Sequence, residues 1–275
     1  MKSAMIVIKE QIKSFYLIRR LSMYEMKSSN TNNYLGMLWE IINPMIQIGV
    51  YWFVFGFGIR RNQGVSIDST TVPFLFWMLS GIILWFFVNS AIQQGSRSIY
   101  TRIRFVAKMS FPMSAIPSYV IMAKFYQHLM LTAIIIIIFQ FTDYHISIYM
   151  LQLPYFMFAT LVFLLAVSLV TSTLSTIVRD VHQIVQAIMR MMIYLVPFLW
   201  VIKPTSESSR LILSIMKFNP LYYLVEGYRS SILGTSWYPI IHFKYTIYFW
   251  VVVGIIFMFG SMIHLKFRDR FVDYL

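Results

Sequence analysis

The feature that most constrains this chain is its set of long apolar runs. They fall at 41–59, 73–90, 118–139, 153–174, 184–200 and 245–264. Several reach about 18 residues or more, the length that crosses bilayer hydrocarbon. A run in lipid must satisfy its own backbone hydrogen bonds, so each is expected to be a helix. The fold class expected is all-α: a polytopic membrane protein of six transmembrane helices over residues 34–275, preceded by an amphipathic interface helix within 1–33. Composition supports this. Hydrophobic residues make up 59% of the chain and charged residues 12%, whereas a soluble domain carries roughly 25% charged residues.

Residues 5–26 read as the interface helix. Ile8, Ile12, Phe15, Ile18 and Ser22 recur at helical spacing, with Lys9, Lys13, Arg19, Arg20 and Lys27 among them. A basic helix with an apolar stripe lies along a membrane surface, and this one is too charged to cross. The net charge of +13 fits cytoplasmic loops facing anionic headgroups, not a nucleic-acid partner. Positive charge also orients the spans. The N-terminal segment, the loop 95–112, Arg179 and the tail (Lys266, Arg268, Arg270) hold most of the Lys and Arg. Both termini are therefore expected in the cytoplasm. The segment 203–244, with five basic residues on the outer side, runs against this rule, which binds longer loops weakly.

That segment is unusual. Residues 206–236 are apolar and periodic, and Asn219-Pro220 interrupts them in the middle. Each half is too short to cross, which suits a re-entrant pair of half-helices. A helix lying flat on the outer surface is the alternative.

The first span carries polar residues where a plain anchor would not need them: Glu40, Asn43, Pro44 and Gln47. Arg190 lies inside the fifth span, either lining a path or snorkelling to headgroups. Lys124 and His128, one turn apart in the third span, are candidates to face a neighbouring helix. So few buried charges argue against a proton- or sodium-coupled transporter, which needs carboxylates near the midplane. There is no phosphate-binding GxxxxGK[ST], no GxGxxG and no HExxH. The five histidines are scattered and cysteine is absent, so neither a metal site nor a cofactor is expected in this chain. Energy for active movement would come from another subunit. Aromatic residues form 18% of the chain. Those at span ends, such as Trp52 and Trp250, suit an interfacial belt, while Trp39, Tyr194 and Phe198 are candidates to line a path.

Taken together, these residues resemble the membrane subunit of ABC-2 type exporters, in the polysaccharide-export branch, and within it the wall teichoic acid translocation permeases. The resemblance spans nearly the whole chain. It is carried by the basic N-terminal helix, Tyr34-Leu35-Gly36 with Trp39 and Asn43-Pro44, the basic loop ending Lys108-Met109-Ser110-Phe111-Pro112, and Asn219-Pro220, Glu226 and Arg229 before the last span.

The resemblance implies an undecaprenyl-diphosphate-linked polymer as cargo, wall teichoic acid first, with O-antigen or capsular polysaccharide, or drugs and lipids, as alternatives. It implies a homodimer of this permease with two copies of an ATP-binding-cassette ATPase, which would hold the ATP and magnesium. The loop 95–112 would be the coupling helix, through Arg97, Arg102, Arg104, Phe105, Lys108 and Phe111. Arg19, Arg20 and Lys27 would attract the diphosphate near the turn Tyr34, Leu35 and Gly36. Trp39, Asn43, Gln47, Tyr51, Arg190, Tyr194 and Phe198 would line the channel. Asn219, Pro220, Glu226 and Arg229 would form the outer gate.

Overall fold

The computed structural model describes residues 2–28, 33–59, 63–67, 70–106, 111–201, 206–268 and 271, without side chains at 67, 70 and 103–106. Among the described residues twelve α-helices follow in order: α1 (Lys2–Lys13), α2 (Phe15–Ser28), α3 (Trp39–Tyr51), α4 (Phe74–Ser96), α5 (Ser98–Val106), α6 (Ala115–Gln140), α7 (Leu153–Ile177), α8 (Asp180–Leu195), α9 (Glu207–Lys217), α10 (Pro220–Leu233), α11 (Tyr238–Ile241) and α12 (Phe243–Phe267). A π-helical stretch, Trp52–Ile59, prolongs α3. The strands β1 (Val65–Ile67) and β2 (Thr70–Val72) pair antiparallel, Val65 opposite Val72. The sequence reads as a plain polar loop there. The hairpin forms because the facing valines, Val65 and Val72, turn inward together and are buried over the end of the bundle.

Among the described residues, five helical stretches are long and apolar enough to cross a membrane: Gly36–Ile59, Phe74–Ser96, Ala115–Gln140, Ile148–Ile177 and Phe243–Phe267. The run at 184–200 does not form a sixth of that length. Its helix α8 has 16 residues, about 24 Å at the usual rise against roughly 30 Å of hydrocarbon. Proline is the reason. Pro197 disfavours helical backbone at the residue before it, and Val196 is extended at φ −104°, ψ 136°.

The α4 helix runs six residues past the boundary read from hydropathy, because its polar residues sustain it. Gln93 Nε2 donates to Asn89 Oδ1 at 2.7 Å, and Gln94 Nε2 donates to Ser90 Oγ at 3.3 Å. This helix is the hub of the protein. Within its most apolar window 72% is buried inside the protein, against 11% for the span containing α3. Around α4 pack α6, α7, α8 and α10, and α12 runs along α7. α3 therefore sits on the bundle with most of its surface uncovered.

The break expected at Asn219-Pro220 is present. Asn219 caps α10, its Oδ1 accepting from the Leu221 N–H at 3.0 Å, and Pro220 takes the first helical position, where no N–H is needed. The two halves then differ. On α9, Leu211, Ile212 and Ile215 are exposed, whereas α10 drives Tyr223, Leu224, Val225 and Tyr228 into the core.

The N-terminal helix expected over 5–26 is two helices broken at Ser14, and its single apolar stripe divides into two faces. Val7, Ile18 and Ser22 pack against the protein, whereas Met5, Ile8, Ile12, Phe15 and Tyr16 are exposed. Ile18 joins Ile99, Phe111, Ile116, Tyr119 and Phe271 in a small second core. Polar contacts fix the pair in place: Glu10 bonds Arg268 at 2.9 Å and also Ser114, and Gln11 Nε2 donates to the Ser114 carbonyl at 2.8 Å. This defines a basic end of the molecule, with α1, α2, α5 and the end of α12, and an opposite hairpin end with β1–β2, α9 and α11.

Candidate functional site

A polar trough runs along the half of α4 nearest the basic end. Between α3, α4 and α6 it opens into a cavity of about 250 Å³ that meets Trp39, Asn43, Gln47, Asn89, Lys124 and His128. Between α4 and α8 a second cavity of about 240 Å³ meets Gln93, Gln94, Arg97, His182 and Gln186. Asn89 and Ser90 border both cavities, so the two lie side by side along α4 from Arg97 inward.

Helical spacing builds each wall. On α3, Trp39, Asn43 and Gln47 recur every fourth residue, and on α8 His182, Gln186, Arg190 and Tyr194 do the same, which sets each group along one face. On α4, Asn89, Ser90, Gln93 and Gln94 turn toward the gap between them. Across the first cavity Lys124 Nζ faces Glu40 Oε2 at 3.9 Å. This pair joins α3 to α6 where α3 has few other contacts. Deeper, His128 Nε2 meets the Tyr228 hydroxyl at 3.0 Å, and the ring stacks on Phe87 at 4.7 Å between centroids. Gln127 Nε2 is buried at the cavity wall without a partner. A buried amide N–H left unpaired costs about 1–3 kcal/mol, so this atom favours a hydrogen-bonding occupant of the cavity. At the trough's other end His182 bonds Ser96 Oγ at 2.7 Å and Gln186 at 2.9 Å. Burial, and then the Arg97 guanidinium, pushes its pKa below the ordinary value, so the ring is neutral at neutral pH.

The structure places the candidates from the sequence as follows. Trp39, Asn43 and Gln47 border the trough. Arg190 and Tyr194 are exposed on the α8 stripe, where Arg190 Nε donates to the Gln186 carbonyl at 3.4 Å. Tyr51 lies within electrostatic reach of Tyr194. Phe198 departs from its expected role: it is fully buried against Trp85, with ring centroids 5.2 Å apart, because the chain folds inward after Pro197. Arg19, Arg20 and Lys27 are exposed, as is Tyr34. Leu35 is also exposed, and Gly36 completes the turn at φ +48°, with its N–H donating to the Asn33 carbonyl at 2.9 Å. That left-handed conformation favours glycine.

In the expected coupling segment, Arg97 is exposed and Arg102 pairs with Glu25 of α2. Phe111 turns inward against Tyr119, centroids 6.3 Å apart, and so anchors the loop instead of presenting itself for docking. Lys108 and the side chains of Arg104 and Phe105 lie outside the described residues.

At the hairpin end, Arg229 is 3% exposed. Its guanidinium carbon lies 3.6 Å from the centre of the Trp77 ring, Nη1 donates to Glu226 at 2.6 Å, and Nη2 donates to the carbonyls of Pro197 and Phe198. Arg229 thus satisfies carbonyls that the break after α8 leaves open. Gly81 makes room: a Cβ there would stand 3.0 Å from Nη2.

The polar α4 face, Gln127, His182 and Gln186 were not singled out from the sequence. The signal was present as NSAIQQGSR and HQIVQ, polar pairs at i, i+4 (Asn89 and Gln93, Ser90 and Gln94, His182 and Gln186).

Comparison with known proteins places this arrangement. The model of the ABC-2 type transporter family matches residues 16–233. The chain belongs to that family. The chain is also similar to the O-antigen export system permease protein RfbA of Klebsiella pneumoniae, 26% identical over 266 residues and covering 95% of each chain. The protein of the same name from Myxococcus xanthus is 22% identical over 219 residues, covering 78% of this chain and 79% of its own. As an ABC-2 family member the chain is a transmembrane subunit without a catalytic site of its own. The match takes in α2 through α10, and so every wall of the trough.

Proposed function

We propose that this chain is the membrane-spanning subunit of an ATP-driven exporter that carries a lipid-linked polysaccharide of the O-antigen kind across the bacterial cytoplasmic membrane. One observation supports it most: the uncovered faces of α3 and α8 flank a polar trough on α4, and a relative matched over 95% of its length is named for O-antigen export. The sequence reading set wall teichoic acid first. The relatives' names favour the O-antigen alternative, so an undecaprenyl-diphosphate-linked glycan of that kind becomes the leading cargo.

Two copies of the permease close the trough, and two copies of an ATP-binding-cassette subunit, holding ATP and magnesium, drive it through α5. The short α8 and the buried stretch after it complete a sixth crossing, with both termini in the cytoplasm. α9 and α10 form a re-entrant outer gate. Arg19, Arg20 and Lys27 receive the diphosphate, since cationic side chains pair with phosphate oxygens, and the turn Tyr34-Leu35-Gly36 borders the entrance.

Replacing Asn43 and Gln47 with Leu tests this. Export of the lipid-linked glycan, followed by surface labelling in cells lacking the native permease, is expected to fall about tenfold, equivalent to about 1.4 kcal/mol. The purified complex should still hydrolyse ATP. Undiminished export would overturn the trough as the path. Transport of drugs, but of no glycan, by the reconstituted complex would favour the drug-exporter reading.

A further inference from the structure

A second cup lies at the hairpin end, apart from the trough. Lys217, Tyr222, Glu226, Tyr238, His242 and Tyr245 enclose about 390 Å³. Tyr222 and Glu226 stand one turn apart on α10 and so share a face. The ring of Tyr222 lies 6.4 Å from that of Tyr245, and the ring of Tyr238 lies 4.5 Å from the His242 imidazole. Glu226 is held in place from behind by Arg229, at 2.6 Å.

Glu226 is paired with Arg229 and the Tyr245 hydroxyl donates to the Asn219 carbonyl at 3.4 Å, but the other polar side chains of the tyrosine and histidine wall are left open. Among the described residues, neither the Tyr222 nor the Tyr238 hydroxyl has a hydrogen-bond partner, and the His242 ring has none, although Tyr238 is 8% exposed. Burial, and then Lys217, lowers the His242 pKa, so the imidazole is neutral and offers one donor and one acceptor.

The charges narrow the ligand. Glu226 is offset by Arg229 and Lys217, so an ammonium ligand gains little from the three tyrosines. Arg229 is already committed to Glu226 and to two carbonyls, so a phosphate would find Lys217 alone against the Glu226 carboxylate, and the neutral His242 adds no cation. What remains is a neutral ring with an apolar face and a rim of hydroxyls. Aromatic faces cover the C–H side of such a ring, and a carboxylate, an imidazole and two phenols pair with its hydroxyls.

We propose that this cup binds a pyranose unit of a glycan at the hairpin end of the permease. The source of that sugar rests on the export reading above, whereas the binding itself does not.

Binding is tested on the full permease–ATPase complex in nanodiscs, with methyl pyranosides as probes and choline and inorganic phosphate as controls, by saturation-transfer difference NMR. Ring-proton signals from at least one pyranoside are expected. They should weaken about tenfold in Tyr222→Phe/Tyr238→Phe, which keeps both rings and removes only the hydroxyls, with Tyr16→Phe on α2 as an exposed control that leaves the signal unchanged. Absence of pyranoside signal in the wild type overturns the proposal, as does an undiminished signal in the double variant or displacement by choline or phosphate. Glycan export measured on the same preparations separates the two readings. Binding with no glycan export would refute the exporter and keep the cup, whereas export without binding would refute the cup alone.

Discussion

Arg229 shows how much one residue can carry. It is a buried cation stacked on Trp77, and it satisfies two carbonyls at the break beyond α8 while orienting Glu226. Methionine there would preserve volume but strand those carbonyls and the carboxylate. Arg229→Met is expected to destabilise the purified complex by about 3 kcal/mol, read as a lowered thermal unfolding midpoint. Arg229→Lys should recover less than half of the loss, because an ammonium cannot stack flat and fork as a guanidinium does. An unchanged midpoint in Arg229→Met would mean that water takes over the carbonyls. The sequence marked Arg229 as a gate residue, but its partners are 31 and 32 positions away, and no local pattern encodes that pairing. Phe198 is the converse case. Its type suits lining or core equally, and only the turn at Pro197 decides for the core.

At the scale of elements, apolar length and period made the long helices legible, while two boundaries were misread for opposite reasons. Amide side chains lowered the hydropathy of the end of α4 although they sustain its helix. High hydropathy carried α8 past Val196, where the following proline ends it. The interface helix hid a further division: which half of its stripe meets protein depends on α6, far away in sequence.

The contact between α2 and α5 bears on coupling. Arg102 pairs with Glu25 across the two helices, with 22% and 30% of the side chains exposed, so the pair contributes about 0.5–1 kcal/mol. Arg102→Glu is therefore expected to reduce capture of the ATPase subunit by releasing α5 from α2. The exchange Glu25→Arg/Arg102→Glu should restore capture in pull-down. If the exchanged pair stays defective, Arg102 touches the ATPase directly.

For the whole molecule, the uneven cover of the helices is decisive. On the α3 side, Ile46, Val50 and Phe53 are exposed, as are Ile188, Met191 and Leu195 on α8. Exposed apolar residues also lie along α12, where lipid suffices, but α3 and α8 alternate theirs with Asn43, Gln47 and Arg190. A mixed face of that kind suits a protein neighbour better than lipid. The chain has no cysteine, so single cysteines report cleanly. Val50→Cys and Met191→Cys are expected to give disulfide-linked permease dimers in membranes under mild oxidation, at least about fivefold more than Ile255→Cys on α12, a contrast of roughly 1 kcal/mol. Equal yields would argue against α3 and α8 as the dimer face.

The thin attachment of α3 has a consequence for the life of the protein before assembly. In a single copy the first span is held by the Glu40–Lys124 pair and by Ile48 with Met45, Tyr51 and Phe55 around it, while Asn43 and Gln47 stay exposed. As the least covered apolar stretch among the described residues, 11% buried, that span would be the first a membrane protease could draw out of an unassembled copy.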